Sequence, residues 1–326
     1  MTTSVPVPAL DRDLIGKLRA DAIASRWSVE HLQTMLSAAA LDALMRDSRL
    51  PALVELAEQE DPAATLTRFF ILGVPARASA LDQALPSLGA LGLEALGLAA
   101  AIDEADAILA LPRLCAKRVG AQEATARPAT TVPAMTDPGG EAPGSVEASD
   151  PWMRALFDLR PHAATTPDGD HEWWVASDLA EVQTGKPLSD DHVLGIGGAT
   201  LTLLEMTVRE QVDSALDVGC GCGIQALYLA THADRVVATD LSSRACALTQ
   251  FNAALNEAVI DVREGSLFEP VEGETFDLIV TNPPFVITPD SVRGAAGLLE
   301  YRDGGMDRDN LIRAVLRGAP ACMNEG

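Results

Sequence analysis

A chain of 326 residues exceeds one average domain and is long enough to bury two cores. Hydrophobic residues make up 48%, which excludes wholesale disorder, and no apolar run approaches the roughly 20 residues of a membrane span. The formal net charge of -23 repels polyanions and counts against broad, sequence-independent nucleic-acid binding. Met1 to Pro8 lacks the basic start and apolar stretch of a secretory signal, and the five cysteines form no disulfide framework. A soluble, cytoplasmic protein with reduced thiols and no membrane partner is expected.

From Leu10 to about Leu98 the apolar residues recur at helical spacing, with breaks at Pro51, Asp61-Pro62, Gly73 to Pro75 and Pro86. The pattern predicts several short helices in a compact bundle, followed by a short strand over Ala107 to Leu111. A bundle ending in a strand is compatible with a winged-helix module, but the recognition helix of that fold is usually basic and this stretch is not. Arg113, Lys117, Arg118 and Arg127 form the one basic cluster of note, and it reads as a solvated loop. From about Gly120 to Asp150 the chain is rich in Ala, Thr, Pro, Gly and Glu, which predicts a disordered insertion. Arg154 to Leu159 and His171 to Ala176 read as strands, closing the small domain with a hairpin across that insertion. Trp173 and Trp174 point to opposite faces of such a strand, and a packing role is expected for both.

From Ser214 strands alternate with helices, the signature of a parallel sheet with right-handed crossovers. Strands are predicted at Ala215 to Val218, Arg235 to Asp240, Ile260 to Leu267 and Phe276 to Asn282. Helices are predicted at Gln225 to Thr231, Ser242 to Leu255 and Asp307 to Arg317. The pattern stops at Gly326, where a doubly wound sheet of this kind continues into further strands. The expected division is a mainly helical region 1–119, the insertion 120–150, strands and a connection over 151–187, and an α/β domain over 188–326.

Asp217-Val218-Gly219-Cys220-Gly221-Cys222-Gly223 lies between the first strand and its helix, where glycine lets a ligand approach backbone N–H groups. The spacing is neither that of dinucleotide sites nor that of a P-loop. Asp240 closes the second strand about 20 residues on, where a carboxylate can take both ribose hydroxyls of a nucleoside. Cys220 and Cys222 are an isolated Cys-x-Cys without His or Cys partners nearby, so no metal is expected. Asn282-Pro283-Pro284-Phe285 ends an apolar strand with two prolines that stop the ladder and leave a rigid corner. Asn282 Oδ1 and the Pro283 carbonyl can accept from the two N–H groups of a planar nitrogen. That would stabilise the positive charge developing as the nitrogen attacks a methyl donor, and Phe285 can stack on the planar group.

With these residues in place, the chain resembles the class I S-adenosylmethionine-dependent methyltransferases. The resemblance implies a doubly wound, Rossmann-like α/β sheet preceded by the helical domain. It also implies cofactor contacts from Asp217, Gly219, Gly221, Gly223, Asp240 and Asn282. Ser266 and Leu267 fall where related enzymes read the adenine. Asn282, Pro283, Pro284 and Phe285 form the motif of enzymes that methylate nitrogens of adenine, guanine or glutamine. Gly304-Gly305-Met306-Asp307 is similar to a segment of the HemK-type glutamine methyltransferases, which modify peptide-release factors. Gly195 to Thr200 lies where relatives cover the cofactor. The reading is a protein glutamine N5-methyltransferase, with a release factor as the implied partner. An RNA or DNA amino-group methyltransferase and a cofactor-binding fragment without turnover are the alternatives.

Overall fold

The computed structural model describes residues 7–46, 48–108, 150–283 and 310–324. The predicted insertion, the basic cluster around Arg113, the Pro284-Phe285 half of the strand-ending motif and Gly304 to Asp307 lie outside the described residues.

The first hundred residues form short helices: α1 (Arg12–Ala24), α2 (Val29–Met35), α3 (Ala38–Met45), α4 (Leu50–Leu56) and α5 (Pro62–Leu66). Side chains of Asp11, Ser28, Ser37 and Asp61 accept from first-turn N–H groups, so α1, α2, α3 and α5 each start on a polar cap, while α4 starts with Pro51 in its first turn. A π-helical turn (Thr67–Ile71) leads into β1 (Ala76–Arg77), α6 (Ala78–Ala84), α7 (Gly89–Ala95) and β2 (Ala99–Ile102). Trp27, Leu56, Leu66, Phe69 and Phe70 are fully buried in the shared core.

β3 (Trp152–Ala155) then inserts antiparallel between β1 and β2. Helix, β1, two helices, β2 and β3, with β3 central, is the connectivity of a winged helix. The helix in the recognition position, α7, contains neither lysine nor arginine. Of the strand expected at Ala107 to Leu111 only Ala107 and Ile108 lie among the described residues, and both are helical; the strand of this region is Ala99–Ile102. Residues 104–108 are helical because Asp103 accepts the Asp106 N–H (2.7 Å) and caps a turn there. Pairing across residues 109–149 is made by β2 and β3 rather than by a hairpin.

The hairpin comes next, from β4 (Phe157–Thr166) and β5 (Gly169–Asp178), antiparallel over their full lengths. Both tryptophans are buried. Trp173 packs edge-on to Tyr228 (5.0 Å), and Trp174 Nε1 donates to the Trp27 carbonyl (2.8 Å). After α8 (Glu181–Thr184) and α9 (Gly198–Met206) the parallel sheet begins. It comprises β6 (Val212–Val218), α10 (Ile224–Leu229), β7 (Ala233–Asp240), α11 (Ser243–Leu255), β8 (Asp261–Glu264), β9 (Leu278–Thr281) and α12 (Asn310–Gly318).

Sheet order is β8-β7-β6-β9, all parallel, with apolar clusters on the two faces around Ala226 and Phe276. The third strand is shorter than expected, because Gly265 (φ 154°) and Leu267 (φ 49°) turn the chain out of the ladder. Phe276 lies outside β9 but pairs in parallel with Met323, donating to the Cys322 carbonyl (2.9 Å) on the free edge of the sheet.

The hairpin is joined to this sheet domain through α11. The Asn256 amide accepts the Trp174 N–H (2.9 Å) and donates to the Trp174 carbonyl (2.9 Å). The Asn252 amide does the same for Ala176 (2.8 and 2.9 Å). Four helical residues rise about 6.0 Å and two strand residues about 6.7 Å, so the amides fall in step with alternate residues of β5. In effect the helix face substitutes for a further strand along that edge.

Candidate cofactor and methyl-transfer site

The site lies at the carboxyl edge of the parallel sheet, beside the point where the order reverses between β6 and β9, the place where open α/β sheets bind ligands. Val218 pairs with Thr239 on one side and Thr281 on the other. One residue further on, Asp240, Gly219 and Asn282 therefore stand in a row. With strands roughly 4.8 Å apart, Asp240 and Asn282 are separated by about 10 Å across the mouth of the glycine loop.

The loop runs with Gly219, Gly221 and Gly223 in left-handed conformation (φ 78°, 56° and 79°), which side-chain-bearing residues rarely adopt. Its N–H groups at Gly219 and Cys220 donate to the Thr239 carbonyl (2.8 and 3.0 Å), and Gly221 N–H donates to Asp240 Oδ2 (2.9 Å). Ser242 N–H donates to Asp240 Oδ1 (2.9 Å), so the Asp240 carboxylate is aimed from both sides. A Cβ placed on Gly219 or Gly221 would meet no described atom within 4 Å and would stand in the cavity itself. Gly223 is different. Its Cβ would lie 2.7 Å from the Thr249 side chain, so this glycine serves helix packing rather than the ligand.

The cavity has a volume of about 450 Å³, suitable for a small-molecule cofactor. Of the residues expected from sequence, Gly219, Gly221, Asp240, Ser266, Leu267, Asn282 and Pro283 line it. Asp217 and Gly223 do not; Asp217 lies beneath the loop, 1% exposed, and its carboxylate accepts the Ala226 N–H (3.1 Å) at the start of α10. Gly195 to Thr200 mostly borders the cavity, although α9 already begins at Gly198. Sequence reasoning missed Thr239, Leu241 and Ser242 around Asp240, the segment Asp191 to Leu194, and Leu311 of α12. The neighbours of Asp240 follow from the strand end, but Asp191 to Leu194 carries no local signal. Cys220, Cys222 and Cys246 are free and buried. No cluster of three metal-ligating side chains occurs among the described residues.

Burial, reinforced by the Asp240 charge, pushes the Asp217 carboxyl up to about 7. Its unfolded value is near 3.9, so between the two the folded chain holds a proton that the unfolded chain has released. This contribution to stability is fully present below about pH 4 and is lost as pH rises through about 7, by about 1.4 kcal/mol per unit. Asp217→Asn keeps an acceptor for Ala226 and should flatten that part of the profile. Urea unfolding of both proteins from pH 5 to 8 checks it; an unchanged wild-type slope in the variant would place the proton elsewhere.

Comparison with known proteins adds relatives to this geometry. Residues 195–296 match the methyltransferase small domain, and residues 24–111 match a domain of unknown function (DUF7059). The release factor glutamine methyltransferase of Deinococcus radiodurans is 44% identical over 198 residues, covering 53% of this chain and 70% of that protein. The chain belongs to the family of the release factor glutamine methyltransferases. The Geobacter sulfurreducens member is 38% identical over 137 residues, 39% of this chain and 48% of its own length. The ribosomal RNA small subunit methyltransferase C of Klebsiella pneumoniae is 34% identical over 128 residues, 39% of this chain and 32% of that protein. The chain thus spans about half the length of the Geobacter relative. The cavity offers the Asp240 carboxylate, the loop backbone at Gly219 and Gly221, and an apolar side chain at Leu267.

Proposed function

We propose that the chain is an S-adenosylmethionine-dependent N-methyltransferase whose acceptor is a glutamine amide of a protein such as a translation release factor. The observation that carries this reading is the row Asp240, Gly219, Asn282: a ribose-binding carboxylate and an amide side chain flank the glycine loop at one level of the sheet. S-adenosylmethionine supplies the electrophilic methyl group on its sulfonium. Asp240 takes the ribose hydroxyls, Ser266 and Leu267 border the base, and Gly219 and Gly221 leave room for the methionine end. Asn282 Oδ1 and the Pro283 carbonyl accept from the two N–H groups of the acceptor nitrogen. Its lone pair is thereby freed from conjugation and aligned for attack, the N–C bond forming as the methyl–sulfur bond breaks and the nitrogen giving up one proton to solvent. Pro284 and Phe285 follow in sequence, outside the described residues, and the motif they complete assigns to Phe285 the role of stacking on the planar amide. Residues 188–326 form the methyl-transfer domain in this reading, and the helical region with its hairpin packs against it through a shared core.

The net charge favours a protein over a nucleic acid as the acceptor. An exocyclic amine of adenine or guanine presents the same two N–H groups, and the Klebsiella relative makes ribosomal RNA the second reading. The test is to incubate the full chain with cofactor tritiated in its methyl group and cell extract, then digest with protease or nuclease. Label released by protease, and recovered as methylamine after acid hydrolysis, is expected. Release by nuclease would transfer the assignment to RNA, and no label in any macromolecule would sink the enzyme reading.

A further inference from the structure

Two parts of the cofactor cavity are held by the same strand, and neither contact belongs to a methyltransferase motif. The first is the wall formed by Asp191 to Gly195. The Asp178 N–H at the end of β5 donates to the Val193 carbonyl (3.1 Å), and Asp178 Oδ2 accepts the Val193 N–H (2.8 Å). Gly195 approaches so closely that a Cβ there would lie 2.7 Å from Ser177 Oγ. The second is the glycine loop, whose Cys222 carbonyl accepts from Asn252 Nδ2 (2.8 Å), the same amide that grips Ala176 of β5.

Asp178 is itself fixed. The Arg244 guanidinium bonds both oxygens of its carboxylate, with Nε at 3.0 Å from Oδ2, and lies over the Phe157 ring at 5.4 Å. Both side chains are more than nine-tenths buried. A buried bidentate pair of this kind has one geometry, and removing either partner takes from the other its two-pronged contact. Arg244 stands in the first turn of α11, just past Ser242, whose N–H aims the Asp240 carboxylate. Hairpin, cavity wall and ribose-binding strand end therefore meet at one ion pair.

We propose that Asp178 and Arg244 are positioning residues for the cofactor, through which the edge of β5 sets the place of the Asp191 to Gly195 wall and hence cofactor affinity. The proposal rests on the cofactor reading given above. Ligand binding to the apo wall is otherwise diminished by the fraction of time the wall spends displaced. Neither residue touches the ligand cavity by its charged end in the sense that Asp240 does; both act through Val193.

The experiment is calorimetry of S-adenosylhomocysteine with the full chain at a temperature where every variant is folded. Asp178→Asn should raise Kd about tenfold or more, and Arg244→Lys, which keeps the charge but not the fork, should raise it less. Gly195→Ala, which presses the wall off Ser177 and leaves the ion pair intact, should also weaken binding. Leu56→Ala, in the helical core away from the cavity, should lower the melting temperature and leave Kd unchanged. Wild-type Kd in both Asp178→Asn and Gly195→Ala would overturn the proposal and make the pair a stabilising contact only. If the wild-type chain bound no S-adenosylhomocysteine, the cofactor reading would fall, and this proposal with it.

Discussion

Asn252→Ala is expected to be the most destabilising single substitution at the junction of hairpin and sheet. Asn252 is 0% exposed, and its amide makes three buried hydrogen bonds: from the Ala176 N–H, to the Ala176 carbonyl and to the Cys222 carbonyl. Truncation leaves all three backbone groups without a partner where water does not reach. Each unsatisfied buried group costs about 1–3 kcal/mol, so a total loss on the order of 4 kcal/mol is expected. Asn252→Asp should be no milder, because a carboxylate would oppose two carbonyl oxygens. Asn256→Ala, at a site 8% exposed, should cost less. Denaturant unfolding measures all three. A loss below about 1 kcal/mol for Asn252→Ala would mean that the hairpin edge finds other partners.

Asn282→Ala should separate chemistry from cofactor binding. Asn282 Oδ1 is assigned to an acceptor N–H whose positive character grows during methyl transfer, so its contribution lies mainly in the transition state. Turnover is expected to fall about 100-fold or more, with S-adenosylhomocysteine affinity within about threefold of wild type. The opposite pattern is expected at Asp240, which lines the cavity at the other end of the row and is assigned to the ribose hydroxyls. Single-turnover transfer to the extract acceptor, read beside calorimetry, distinguishes them. Wild-type turnover in Asn282→Ala would remove the corner from the mechanism even with cofactor binding intact.

How much of this was legible beforehand differs between the two halves of the molecule. In the sheet domain, strand and helix follow each other at short range and the motif residues sit at strand ends. Asp240 and Asn282 could therefore be read from the chain as site residues, and register then sets them in one row. Their separation across the loop depended only on sheet order, which right-handed crossovers constrain. The same local logic failed at Ala107, where a short strand is predicted and the Asp103 cap makes a helical turn.

What sequence determined by itself was the set of local conformations with local causes: glycines at positive φ in the loop after β6, Pro283 just past the end of β9, and polar caps at the starts of α1, α2, α3, α5 and α11. Those depend on a few neighbouring residues and leave a pattern in the chain. Only the tertiary structure decided that β3 pairs with β2 across some fifty residues, that Asp217 lies under the loop rather than in the cavity, and that Asp178, Arg244 and Val193 meet. The meeting of Asp178, Arg244 and Val193 accompanies the seating of the β5 edge on α11, where the Asn252 and Asn256 amides fall in step with alternate strand residues. Nothing in the spacing of Asp178 and Arg244 along the chain records that meeting, because burial and the matching of two different periods, not proximity in sequence, bring them together.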